Sequence, residues 1–216
     1  MVKIVHKASG KVLLKAKNES IRGCALTGHD LSGADFSGQD LSGCKFIGCN
    51  LCDSDFSGAN LSLSQMVNSV MRRANFSDAN LTRASLSDNV IDGSKFVGAK
   101  AVGAKFRHTK VNESNFSKCN LAEADFFFSE ARSSFSNAVL TDVTFVGADI
   151  TNADFTNADL RRAVMTDATI RGAIFAGAKM EGCIGTNGQP WGNTFKPKKV
   201  EKRSWWKVFN SASSKS

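Results

Sequence analysis

Large apolar side chains recur at every fifth position along most of this chain, running Ile21, Leu26, Leu31, Phe36, Leu41, Phe46, Leu51, Phe56 and onward to Leu121 and Phe126. Within that series phenylalanine returns every twenty residues, at Phe36, Phe56, Phe76, Phe96 and Phe116, and after one slip at Phe135, Phe155 and Phe175. A period of twenty built from four fives predicts a square coil wound about one axis, with each side sending one large side chain inward per turn. Twenty-two units share the register from Ile21 to Phe126, and ten more share the register from Phe135 to Met180. Four units per turn make about eight coils, and at the usual strand separation of about 4.8 Å the rod is roughly 38 Å long.

The positions between these centres are as regular. Two residues before each centre the chain is small, as at Ala34, Ala59, Ala74, Ala104, Ala138 and Ala173, because one large side chain fills the middle of a side and a second must tuck behind it. The residue just before the centre is often Asp or Asn, as at Asp35, Asn60, Asn80 and Asp154, and the second residue after it is often Gly, as at Gly33, Gly38, Gly43 and Gly48. Both choices suit corners with unusual backbone angles. Cys24, Cys44, Cys49, Cys119 and Cys183 fall in the small slot and read as core residues, while Cys52 points outward; no zinc or disulfide spacing emerges. The first coil departs from the rule, with Glu19 and His29 in the small slot, and these groups are expected to escape through the end of the coil.

The motif Ala-Asp/Asn-Leu/Phe-x-x, seen in Gly33-Ala34-Asp35-Phe36-Ser37 and Asn157-Ala158-Asp159-Leu160-Arg161, resembles that of the pentapeptide-repeat family over roughly residues 21–183. The resemblance implies an all-β fold, a right-handed quadrilateral β-helix with terminal caps. Residues 1–20 read as an N-terminal cap in which two short strands flank Ala8-Ser9-Gly10, a lid over Ile21 and Leu26. Residues 184–195 break the pattern with turn residues and read as the C-terminal cap, with Trp191 and Phe195 as candidate plugs. Residues 196–216 form a basic aromatic tail. The slip near 127–134 spaces Phe126 and Phe135 nine apart instead of ten, so one corner residue is missing between Ala131 and Ser134.

Charge narrows the functional classes. The net charge of +8 divides into +4 over residues 1–20, +6 over 196–216 and −2 over 21–195, so the basic character belongs to the ends. No apolar run is long enough to span a membrane and the N-terminus lacks a secretory core, which makes the cytoplasm the expected compartment. No nucleophile triad, metal-ligand cluster or phosphate-binding loop is visible, so neither an enzyme nor a cofactor is expected. Coil-to-coil spacing predicts surface ion pairs of Arg72 with Asp92, Arg73 with Asp53, Arg162 with Asp142 and Arg161 with Glu181.

Three surface features are candidate binding sites. Phe127 and Phe128 occupy outward positions beside the slip, with Arg107 and His108 one coil below them, a geometry suited to a cation–π contact and to a partner-binding patch. Lys95, Lys100, Lys105 and Lys110 share one repeat position and form a basic belt able to face an acidic partner. In the tail, Lys198, Lys199, Lys202, Arg203, Trp205, Trp206, Lys207 and Phe209 suit an anionic membrane surface, nucleic acid, or a fold-back onto the cap. The leading expectation is a noncatalytic scaffold for an unknown protein partner, with attachment to membrane or nucleic acid through the tail as an alternative. The family resemblance adds another: some members protect DNA gyrase from quinolones by imitating duplex DNA. That role calls for a strongly acidic surface, which a body of −2 with a lysine belt does not supply.

Overall fold

The structure, a computed structural model, describes residues 3–15 and 20–192. The tail residues Lys198, Lys199, Lys202, Arg203, Trp205, Trp206, Lys207 and Phe209 lie outside the described residues, as do Glu19 and Phe195. The chain winds as the twenty-residue period predicts. Strands β3 (Ala25–Thr27), β4 (Lys45–Ile47) and β5 (Gln65–Val67) stack in parallel with partners twenty apart, following the hairpin strands β1 (Lys3–Val5) and β2 (Val12–Lys15). On the other sides single bridges continue the rule, as in the ladder Asp35, Asp55, Asn75, Lys95, Asn115. Residues five apart therefore lie on successive sides and residues twenty apart are stacked. The result is a right-handed quadrilateral β-helix.

Its interior is the predicted column of large centres. Phe36, Phe56, Phe76, Phe96 and Phe116 are fully buried and stack face to face with ring centroids 4.4–4.9 Å apart. The opposite side contributes Phe46, Phe106, Phe126 and Phe145, which meet that column edge-on, as at 5.6 Å between Phe36 and Phe46. Offset stacks and edge contacts are the arrangements that the aromatic quadrupole favours. Behind them the small slot is filled by buried Ala34, Ala59, Ala74, Ala104 and Ala138. His29, too large for that slot, is exposed at the open side of the first coil.

Corners follow from backbone chemistry. The second residue after each centre takes a left-handed conformation, with φ of 64° at Gly38, 59° at Asp53 and 57° at Arg73. The residue beyond it donates its N–H to the centre's carbonyl, as Ala34 does to Leu31 at 3.1 Å, closing a four-residue turn. The Asp or Asn before the centre secures the corner that follows, and Asp35 Oδ1 does so by accepting the Ser37 N–H at 3.0 Å. Its side chain also joins the coils, since Asn60 Nδ2 donates to Asp40 at 3.1 Å and Asn80 Nδ2 to Asn60 at 3.1 Å.

At the slip the ladder changes from Lys110–Glu130, twenty apart, to Asn115–Ser134, nineteen apart. Ala131 is a fully buried centre, a unit beyond those counted from the large residues alone, and Ser133 fills the next small slot. Only Arg132 stands between them, so the residue lost is the left-handed one, and the Ser133 N–H reaches the Ala131 carbonyl at 2.9 Å. At the N-terminal end β1 docks antiparallel on the first coil, where His6 bridges Ala34 and Asp35 N–H bonds Val5 at 2.8 Å. At the C-terminal end Ile184 pairs antiparallel with Pro190, and Trp191 lies 5.1 Å from Phe175.

The expected surface pairs form with one exception. Arg73–Asp53 and Arg162–Asp142 are bidentate, at 2.7 Å and 2.6–2.7 Å, and Arg72 is 4.0 Å from Asp92. Arg161, predicted to pair with Glu181, instead binds Asp159 at 2.6 Å. Asp159 already accepts the Arg161 N–H, which brings the guanidinium within reach in its own coil.

Candidate partner-binding site

Two corners bound one side of the rod near its middle. The first is the aromatic corner. Phe128 takes a left-handed φ of 50°, which turns its ring outward, and it is 56% exposed. The ring lies against Gly147, where an added Cβ would come within 2.9 Å of it, and its other neighbour is His108, nearly parallel at 6.2 Å. Phe127 is half-buried and meets Phe128 edge-on at 4.6 Å and His108 edge-on at 5.8 Å. The Arg107 guanidinium stands 4.9 Å from the Phe127 centroid and 3.0 Å from the Asp125 carboxylate. Asp125 also accepts the Phe127 N–H at 3.0 Å, so it ties both partners of the cation–π contact. The four residues singled out from the sequence, Arg107, His108, Phe127 and Phe128, thus form one cluster. Asp125, its organising carboxylate, is hidden from a count by twenty because it lies eighteen residues from Arg107.

The second corner is the site of the lost residue. Here a notch of about 610 Å³ is lined by Asp92, Asn112, Glu113, Arg132, Thr151 and Asn152. Arg132 leans away from it to bind Asp149 at 2.7 Å, while the Asn112 N–H donates to Asp92 at 2.9 Å. The slip was legible in the sequence, but the opening it leaves was not.

Lys95, Lys100, Lys105 and Lys110 are all exposed, but because units five apart occupy successive sides they point in four directions. Lys110 is paired with Glu130 at 3.2 Å. The belt encircles the rod and does not converge on one surface. The cysteines carry no reactive cluster: all six are free, and burial pushes the Cys44 and Cys183 thiols up to about 11. Among the described residues no group of three or more His, Cys, Asp or Glu is placed to hold a metal ion.

The sequence matches the family model described as a pentapeptide repeat region over residues 19–96, and the model for pentapeptide repeats (8 copies) over residues 102–126, 131–157 and 148–184. No curated protein sequence matches significantly. Among solved structures, the chain is similar to a trypsin-treated form of QnrB1, a plasmid-mediated fluoroquinolone resistance protein, at 23% identity and a TM-score of 0.53, covering 76% of this chain and 87% of that one. It is also similar to HetL, a pentapeptide repeat protein involved in heterocyst differentiation regulation from the cyanobacterium Nostoc sp. strain PCC 7120, at 20% identity and a TM-score of 0.45, covering 81% and 94%. With the five-residue units, the four-sided stacking and both family models in agreement, the chain belongs to the pentapeptide-repeat family.

Proposed function

We propose that the protein is a noncatalytic scaffold that binds another protein through the corner formed by Phe127 and Phe128, supported by Arg107 and His108. One observation carries this reading: Phe128 combines a left-handed backbone with a ring more than half exposed. A bulky residue in that conformation costs about 1–2 kcal/mol, and a ring so exposed recovers little of it through burial. The same column holds Asp88, His108, Gly147 and Asp167, residues better suited to a solvated corner. An aromatic kept there suits contact with a partner, since exposed aromatic anchors dominate many interfaces. Six free cysteines fit the reducing cytoplasm, the compartment proposed for this role.

Affinity capture with the wild type and a Phe127→Ser, Phe128→Ser double variant tests the reading. The expected result is the loss of at least one partner from the variant, and an identical partner list would discard the corner. Quinolone protection is the competing function. Its support is fold likeness alone, and it is removed if the protein leaves quinolone inhibition of gyrase supercoiling unchanged.

A further inference from the structure

The aromatic corner and the notch are the two edges of a single side of the rod, joined by the stretch Phe128 to Arg132. Along it Ser129 and Ala131 are buried and Glu130 faces outward between the corners. The loss of one residue therefore does more than shift the register. It removes the backbone corner that would have stood between Glu113 below and Asn152 above, both of which line the opening.

The charge of that opening is specific. Arg132, the cation of its lining, gives its guanidinium to Asp149 through Nε at 2.9 Å and Nη2 at 2.7 Å. Lys110, on the same side, is held by Glu130 at 3.2 Å. Asp92 accepts one backbone hydrogen bond through Oδ1 and keeps its second oxygen 4.0 Å from Arg72. Glu113 is exposed and enters no ion pair among the described residues. A group entering the notch thus meets the Glu113 carboxylate, which has no ion pair among the described residues, beside Asp92, whose one cation, Arg72, stands 4.0 Å away, flanked by the amides of Asn112 and Asn152 and the hydroxyl of Thr151.

We infer that the partner of the Phe127–Phe128 corner is a protein segment carrying a lysine or arginine that enters this notch while an apolar side chain rests on Phe128. The inference rests on the scaffold reading and names the chemistry of its partner. Four residues separate the two corners, and because Phe128 is left-handed the span is at most roughly 13 Å, so the apolar and basic residues of an extended partner stand no more than about four positions apart. Opposite charge in the notch fixes which end of the segment lies where, and the aromatic corner supplies contact area.

Selection of a random linear peptide library displayed on phage against the full chain provides the test, followed by measuring the enriched peptides on Glu113→Gln and Phe128→Ser variants. Enriched sequences should pair an aromatic or aliphatic residue with Lys or Arg within that spacing. Glu113→Gln should weaken them about fivefold and flatten their salt dependence, and Phe128→Ser should abolish binding. Peptides lost with Phe128→Ser but indifferent to Glu113→Gln would overturn the basic-residue inference and leave the scaffold corner standing. Peptides indifferent to both changes, or no enrichment at all, would overturn both. Glu113 is an exposed corner side chain, and unchanged thermal unfolding of its variant confirms that charge is what has been removed.

Discussion

Lys7, on the turn of the N-terminal hairpin, forms an ion pair with Asp55 of the second coil, bypassing the first coil to which the hairpin backbone is bonded. The hairpin is thereby held at two levels. Burial alone would raise the Asp55 carboxyl, which is 5% exposed, but hydrogen bonds from Lys7 and Ser57 hold it down to about 2. The folded value lies below the unfolded one near 3.9, so this contribution is present above about pH 4 and is lost as pH falls through about 2. Because the Lys7 side chain is largely exposed, the pair contributes on the order of 1 kcal/mol. Asp55→Asn should lower stability at pH 7 by that order and leave wild type and variant nearly equal at pH 2. Denaturant melts at the two pH values check this, and a constant difference would rule out the latch.

The phenylalanine column should be least tolerant in its middle. Phe96 is fully buried with Phe76 and Phe116 stacked on either face at 4.8 and 4.4 Å. Phe96→Ala should cost about 3–5 kcal/mol by lost transfer energy and a cavity the stack cannot close. Phe175 is half-buried at the last coil, with Phe155 on one face at 5.1 Å and Trp191 tilted over the other. Its replacement by Ala should cost about 1–3 kcal/mol, because the end can relax. Chemical denaturation of the two variants decides the order, and equal losses would contradict a core that loosens toward its end.

Thiol reactivity gives an independent reading of the small slot. Cys44, Cys49, Cys119 and Cys183 are buried, and desolvation raises the pKa of each; Cys24 and Cys52 are half-buried. The thiolate is the reactive form. In the native protein an aromatic disulfide reagent should therefore titrate Cys24 and Cys52 promptly and reach the other four only in denaturant. Rapid native labelling of Cys119 would show that the coils open far more readily than their packing implies.

These two groups also mark what the sequence alone can carry. A side chain's slot follows from counting by five, which places Cys119 inside and Phe128 outside, and its stacked neighbour follows from counting by twenty, which pairs Arg73 with Asp53. Contacts outside those two numbers stay hidden. Lys7 reaches Asp55 across a hairpin whose docking level no period specifies, and Arg161 prefers Asp159 within its own coil to Glu181 above it. The notch is the clearest case. The slip follows from a spacing of nine, but the opening depends on Ala131 remaining a centre and Ser133 taking the inward slot, which only the folded backbone decides.

The ring of Phe128 depends on the absence of a side chain at Gly147. That glycine has a φ of 64°, and a Cβ there would fall within 2.9 Å of the ring, so the ring must move if the position gains even a methyl group. Gly147→Ala leaves every residue of the aromatic corner in place. It should cost about 1 kcal/mol of stability, the penalty for Ala in a left-handed corner. Its larger effect should be on the corner: the Phe128 ring would be displaced from its nearly parallel position 6.2 Å from His108, and the ring-current shift on the His108 imidazole protons would change. Partner capture should fall with it, approaching that of the Phe127→Ser, Phe128→Ser variant, although that variant itself should remain folded within about 1 kcal/mol because neither ring belongs to the buried column. Proton spectra of the imidazole, read beside capture, give the decision. An unchanged His108 signal in Gly147→Ala would mean that the ring does not rest where the corner geometry puts it, and full capture despite a displaced ring would remove Phe128 from the interface.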